Sequence, residues 1–398
     1  MRQTRERTWQ WVDDLTETQW RPALQSGVNL IAWEMAHLAW FAEFWILRGP
    51  HGRDPEGFAT ASRAPRIMGP DIHFDSARLA HAQRWSTPQP SRSELKSRLQ
   101  DQLDACIEAI PPTQATLRAN DEALYFHRLA LCHEDMHAEA FCWTRAAMGY
   151  PAPVGVHWPG SQISNTLEYG LGSAPSRQIT CAGGDFDLGF EEDTPGFTFD
   201  NERPGQRVTL APFHIDSAPV SAGEFARFVE AGGYTQAAFW PGEAGRWRAA
   251  SGLTHPSHWR QSKSGDWQLR WFDQYLPLEA HAPVIHVNAY EAEAYCLWAG
   301  RRLPSAAEWE CAALSDGVLE SGFSWGHSVW EWTSDWFRAH PDFAPGPYRE
   351  YSQPWFGNHR ELRGGAFATH TRMHNARYRN FFLPQRSDIF AGFRTASY

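Results

Sequence analysis

Residues 28–48 read VNLIAWEMAHLAWFAEFWILR, and apolar side chains fall on nearly every face of the helix they would make. A helix apolar all round cannot lie on a surface, so this segment demands the inside of a bundle. Gly49-Pro50 ends it. The first 150 residues supply its neighbours. Ser91-x-x-Glu94 is a capping box ahead of the periodic stretch SELKSRLQDQLDACIEAI, which Pro111-Pro112 stops. A third stretch runs from about Asn120 to Met148 and ends at Gly149. A weaker segment near residues 8–25 completes the set, and a four-helix bundle is expected over residues 1–150.

Residues 151–177 are rich in Pro, Gly and Ser and read as a linker, with Trp158 and Tyr169 predicting that it packs. From residue 178 to 398 the texture changes to short strand-like pieces, with Gly, Pro, Asn and Trp every few residues. Two short helices are predicted, Ala222–Ala231 and Ala289–Ala299, inside a loop-rich α+β domain without internal repeats. Long ordered loops in such a domain usually carry function.

Composition narrows the classes. At 398 residues, 42% hydrophobic and 21% charged, the chain is globular and long enough for two domains. A net charge of −10 without a Lys/Arg block argues against a nucleic-acid partner. The start, MRQTRERTWQWVDDL, is too charged for a signal peptide. No run of about 18 apolar residues occurs, so no membrane span is expected. Cysteines 106, 132, 142, 181, 296 and 311 follow no ligand spacing and read as reduced thiols of a cytoplasmic protein. Most of the 21 Trp belong to cores, although such rings can also line a pocket for a flat or cationic ligand.

His133-Glu-Asp-Met-His137 lies in the third predicted helix. Residues four apart stack one turn over another, roughly 5–6 Å between Cβ atoms, so both imidazoles can reach one metal. Alone this is a weak signal in a chain with 18 His. His37 strengthens it, because a polar ring inside WEMAHLAWF needs a partner. A backbone carbonyl would serve, and so would a metal shared with another helix. Three His from two helices leave three positions of an octahedral metal open, which suits Fe(II) activating O2. A zinc ion with one bound water would use the same three ligands.

The succession WEMAHLAWF, LCHEDMHAEAF, FDNERPGQRVTLAPFHIDSAPVSAGEFARFVEAGGY, GRRLPSAAEWE, VWEWTSDWF, PYREYS, LRGGAFATH and YRNFFLPQRSDIFAGFRTA covers nearly the whole chain. It resembles the ergothioneine-type (hercynine) sulfoxide synthases. The resemblance implies a DinB-like four-helix bundle over 1–150 carrying the iron ligands His37, His133 and His137. After the linker, a domain with the formylglycine-generating-enzyme (C-type-lectin-like) fold over 178–398 would close the active site. In PYREYS, Tyr348 and Tyr351 match the segment that supplies a proton or hydrogen-bond donor near the metal. In RNFF, Asn380 and Phe381 match the wall for hercynine, whose quaternary ammonium suits aromatic faces. The plainer alternatives are two packing tyrosines and a buried aromatic strand. A formylglycine generator needs reactive cysteines late in this domain. The last one here is Cys311, ahead of the RGG and RNFF motifs, so the domain reads as a scaffold. Gly326-His327-Ser328 replaces the family's usual Gly-Asn calcium segment, which argues against a calcium ion.

Two departures bear on substrate. Where the family usually reads RNWD, with the acid pairing the amino group of γ-glutamylcysteine, this chain has Phe382. Where HEQQH places a Gln against the histidine-derived substrate, it has Met136. WEMAHLAWFAEFWILR and HEDMHAEAF are most similar to selenoneine synthases, which join hercynine to the selenosugar 1-selenoglucose. Arg84, in HAQRWSTPQPSR, lies where the family has substrate-binding arginines. The resemblance therefore implies Fe(II)- and O2-dependent C–Se bond formation at C2 of the hercynine imidazole, on small-molecule substrates alone. The alternatives are a C–S bond made from γ-glutamylcysteine or cysteine, a zinc-dependent DinB-type thiol transferase, and a non-catalytic lectin-like binding module. YREYS and RNFF speak against the transferase, and metal content separates the enzymes from the module.

Overall fold

The structure, a computed structural model, describes residues 1–157 and 176–398. The packing expected of Trp158 and Tyr169 lies outside the described residues. The chain forms two compact units. Met1–Val154 makes the first together with Asp193–Phe199 and Pro345–Tyr351, and the second holds Gly155–Glu192, Asp200–Ala344 and Ser352–Tyr398. Two segments that sequence assigned to the C-terminal domain thus pack with the helices. Among the described residues, no helix is long and apolar enough to cross a membrane.

The first unit is built on α1 (Arg2–Gln10), α2 (Ile31–Ala42), α3 (Arg92–Glu108) and α4 (Leu117–Ala147). Every residue of α2 is buried, as its apolar circumference requires. It continues into a π-helical turn, Glu43–Leu47. Buried Glu43 accepts the backbone N–H groups of Arg66, Ile67 and Met68 at 2.6, 3.0 and 2.9 Å, fixing the loop beneath α2. The Ser91 hydroxyl caps α3 by accepting the Glu94 N–H at 3.3 Å. The third predicted helix starts earlier than Asn120, because the Thr116 hydroxyl accepts from Ala119 N at 3.2 Å. The weak segment predicted at 8–25 is displaced to α1, and residues 11–21 are mostly turns. Thr16 and Gln19 explain this: each side chain accepts the other's backbone N–H, at 2.9 and 3.3 Å, a local bond that competes with the helix. Arg145 of α4 then holds the turn through Asp14 at 2.6 Å and the Trp11 carbonyl at 2.9 Å. A short hairpin, β1 (His51–Arg53) with β2 (Ala59–Ala61), follows α2.

In the second unit, β3 (Gln178–Cys181), β4 (Gly184–Leu188), β5 (Gln206–Leu210) and β6 (Phe213–Asp216) precede α5 (Ala222–Glu230) and α6 (Glu243–Ser251). The meander β7 (Trp259–Gln261), β8 (Trp267–Trp271) and β9 (Gln274–Pro277) leads to α7 (Ala289–Ala299) and α8 (Ala306–Leu314). Then come β10 (Trp330–Trp336), β11 (Arg360–Arg363), β12 (Asn380–Phe382), β13 (Ala391–Gly392) and β14 (Ala396–Ser397). The main sheet runs β12-β11-β10-β13 and the second β14-β6-β3. Helices α5 and α7 appear where periodicity placed them. Helices α6 and α8 were not anticipated, although Ser305 and Glu308 form a reciprocal capping box ahead of α8.

The motif residues of this unit are largely interior charges. Arg363 pairs with Glu310 at 2.9 Å and Glu361 at 2.8 Å, Arg379 pairs with Glu361 at 2.8 Å, and Arg394 binds Glu331 at 2.7 Å. All six are buried. Buried charges persist only when paired this way, so the motifs record the framework of a loop-rich domain.

Candidate metal centre

His37 projects from α2, and His133 and His137 from successive turns of α4. Their ligand nitrogens all lie within 4.8 Å of one another, the one such cluster of three among the described residues. His37 Nδ1 bonds to the Phe74 carbonyl at 2.7 Å and therefore carries the proton. Its Nε2 faces His133 Nε2 at 3.3 Å. His137 Nδ1 meets the Glu34 carboxylate, turning its Nε2 toward the other two rings. A carbonyl or carboxylate on the outer nitrogen is how metal-binding histidines are usually oriented. Burial, with the neighbouring imidazole adding to it, holds His37 and His133 well below the ordinary value of 6.5. Both are neutral, as nitrogen ligands must be. Trp33 stacks on His37 at 5.0 Å and Phe41 on His133 at 3.6 Å, so the rings cannot turn away. This set of converging imidazole nitrogens, two of them on rings with fixed outer partners, fits a divalent transition metal.

Tyr348 packs edge-on against Phe41 at 4.9 Å, with its ring 6.2 Å from that of His133. Its hydroxyl bonds Ser76, and burial followed by the charges of Asp75 and Glu350 pushes the phenol above its ordinary value of 10.0. Tyr351 lies one ring further out, 6.2 Å from Tyr348, and stacks on Phe199 at 4.1 Å. Of the two tyrosines, the fold brings Tyr348 to the histidines. Arg84 lies over Trp33 at 4.2 Å and bonds Asn29 Oδ1 at 2.5 Å, while its Nε is buried without a hydrogen-bond partner. Burial lowers its pKa. Met136, on α4, is half-buried.

Asn380, Phe381 and Phe382 form β12 in the second unit. The Asn380 side chain accepts the Phe381 N–H at 2.9 Å, and Phe381 stacks on Phe337 at 4.1 Å. The Arg386 guanidinium sits over Phe382 at 5.3 Å and is itself paired with Asp388. Sequence reasoning missed Glu34 and Phe41. Glu34 left a signal, since a carboxylate inside an all-apolar helix needs a partner as much as His37 does.

Residues 1–140 match the DinB superfamily, and residues 172–329 and 327–398 match the sulfatase-modifying factor enzyme 1-like domain. The class is therefore an N-terminal DinB-like helical domain followed by a loop-rich α/β domain of the formylglycine-generating type. Over 408 residues the chain is 30% identical to the hercynine oxygenase of Mycobacterium tuberculosis, covering 92% of this chain and 90% of that one. It belongs to the hercynine oxygenase family. The hercynine oxygenase of Mycolicibacterium smegmatis is 27% identical over 412 residues, with 92% and 90% covered. The formylglycine-generating enzyme of Streptomyces coelicolor is 27% identical over 320 residues, covering 63% of this chain and 96% of that enzyme.

Proposed function

We propose that this chain is a non-haem iron(II) enzyme that uses O2 to join a selenosugar to C2 of the hercynine imidazole, the step that forms selenoneine's C–Se bond. The observation that carries the iron assignment is the convergence of three imidazole nitrogens within 4.8 Å, with the outer nitrogens of His37 and His137 fixed by Phe74 and Glu34. Similarity to hercynine oxygenases along nearly the full chain favours this reading over a zinc thiol transferase. The overall change balances as hercynine plus selenol plus O2 giving the coupled selenoxide plus water. Bound iron would supply the oxidising chemistry and the meeting point for donor and O2.

The chain's own residues do the rest. His37, His133 and His137 hold the metal, and Glu34 and the Phe74 carbonyl hold two of those rings in place. Tyr348 keeps its proton and donates it, or a hydrogen bond, at its Oη. Arg84 presents a buried cation for the anionic part of a substrate. Asn380 and Phe381 receive hercynine, with the ring faces meeting its trimethylammonium group. The family's acid at the position of Phe382 would pair an amino group; a phenyl ring does not, which favours a sugar donor.

The test is anaerobic Fe(II) reconstitution with hercynine and, in parallel, selenoglucose, thioglucose, cysteine or γ-glutamylcysteine, with product masses read after O2 is admitted. A selenoglucose–hercynine adduct is expected as the main product. Coupling only with γ-glutamylcysteine or cysteine would replace this reading by the C–S alternative.

A further inference from the structure

Tyr348 comes to the histidine cluster from an irregular segment. Residues 345–348 lie in no helix or strand, and a single short 3-10 turn, Arg349–Tyr351, follows them. Carbonyls in such a stretch must find partners elsewhere.

The hairpin of β1 and β2 supplies them. Arg53, the last residue of β1, donates from Nη2 to the Pro347 carbonyl at 2.9 Å and to the Gly346 carbonyl at 3.4 Å. Its Nη1 reaches the Glu350 carboxylate at 3.2 Å. One guanidinium therefore grips the chain on both sides of Tyr348. Nη1 also donates to the Gly57 carbonyl at 2.9 Å, which ties Arg53 to its own turn. Asp54 closes that turn: its side chain accepts the Phe58 N–H at 2.8 Å, and its carbonyl accepts the Gly57 N–H at 2.9 Å. Gly57 has a φ of +88°, and a Cβ there would run into the Arg349 guanidinium, so Arg349 lies against bare backbone. Phe58 and Ala59 of the hairpin line the same small cleft as Tyr348 and Phe41. An ion pair as open as Arg53–Glu350 adds little to stability. What it adds is position, and a group about 1 Å out of place can cost about 10²-fold in rate.

We propose that Arg53 is the positioning residue of Tyr348: it clasps residues 346–350 so that the phenol keeps its place beside the histidine cluster. The inference deepens the reading of Tyr348 as a proton or hydrogen-bond donor and rests on it.

Four proteins test it: wild type, Arg53→Ala, Tyr348→Phe and the double variant, each with iron bound and with whichever donor wild type couples. Arg53→Ala should keep the iron content and the KM for hercynine, cut coupling about tenfold or more, and raise the share of donor that is merely oxidised. In the Tyr348→Phe background the same change should cost under about twofold, because the hydroxyl through which Arg53 acts is already gone. A readout without metal or turnover comes from 3-fluorotyrosine placed at position 348. Its fluorine NMR signal should be narrow beside Arg53 and broadened or shifted in Arg53→Ala. An unchanged signal, or an equal loss of coupling with and without the Tyr348 hydroxyl, would overturn the clasp. Normal coupling by Tyr348→Phe would overturn the donor role and this inference with it. Wild type that couples no donor at all would sink the proposed function instead, and the fluorine signal would still decide the clasp.

Discussion

At the residue scale, the centre depends on groups that hold other groups. Replacing any one of His37, His133 or His137 by Ala should remove most bound iron while the second unit stays folded, because a facial set missing one arm loses both affinity and geometry. Iron content by mass spectrometry checks this, and full occupancy in all three variants would end the assignment. Glu34→Ala removes the carboxylate at His137 Nδ1 but no ligand. Its expected cost is a metal affinity roughly 10–100-fold weaker, measured by chelator competition. The two tyrosines should separate. Tyr348→Phe removes the hydroxyl of the ring that packs 6.2 Å from that of His133 and should slow coupling or divert it to simple oxidation of the donor, whereas Tyr351→Phe keeps the ring that stacks on Phe199 and should change the product ratio little. Equal product ratios in wild type and Tyr348→Phe would make Tyr348 a packing residue.

At the element scale, what the sequence showed well was whatever local chemistry decides. The apolar circumference of α2, the Ser91 cap and the Pro111-Pro112 stop needed no knowledge of neighbours. The placement of α1 did, because its stability comes from a contact 129 positions away: Arg5 Nε bonds Glu134 Oε1 at 2.6 Å. Arg5 also reaches the Leu99 carbonyl at 2.7 Å and Gln102 at 3.0 Å, so one guanidinium ties α1, α3 and α4 together. Glu134, the first of the two acids in the HEDMH sequence, therefore faces a structural arginine. Arg5→Ala would leave its carboxylate buried without that cation, keeping the Thr8 hydroxyl bond at 3.1 Å, with an expected loss of about 3–5 kcal/mol of stability. Urea denaturation measures it, and a loss below about 1 kcal/mol, the value of one ordinary hydrogen bond, would show that water and the existing Thr8 bond suffice for the carboxylate.

At the scale of the whole molecule, likeness and physics informed different parts of the chain. The helical unit could be argued from periodicity, caps and the cost of a buried imidazole. The second could not: its order rests on paired interior charges such as Arg363–Glu310 and Arg394–Glu331, joined across 53 and 63 positions. No local rule predicts those pairs, and only the resemblance made their motifs readable. Donor choice is the property where the two kinds of argument meet. An amino-acid donor brings an ammonium group into a closed site, and a buried charge needs an opposite one. At Phe382 the chain offers a ring, and the nearby Arg386 is positive and already paired with Asp388. An ammonium group there would meet a cation where the family's acid would have met it with an anion. A sugar brings hydroxyls, which neutral groups and water can satisfy. Wild type should therefore show a higher kcat/KM with selenoglucose than with γ-glutamylcysteine at saturating hercynine and fixed O2. Phe382→Asp should weaken the sugar reaction more than it helps the amino-acid reaction. The new carboxylate would be drawn to Arg386, and one acid does not rebuild the rest of an amino-acid site. A Phe382→Asp variant that prefers γ-glutamylcysteine would show instead that this single position sets the donor, while the metal assignment, which rests on other residues, would be untouched.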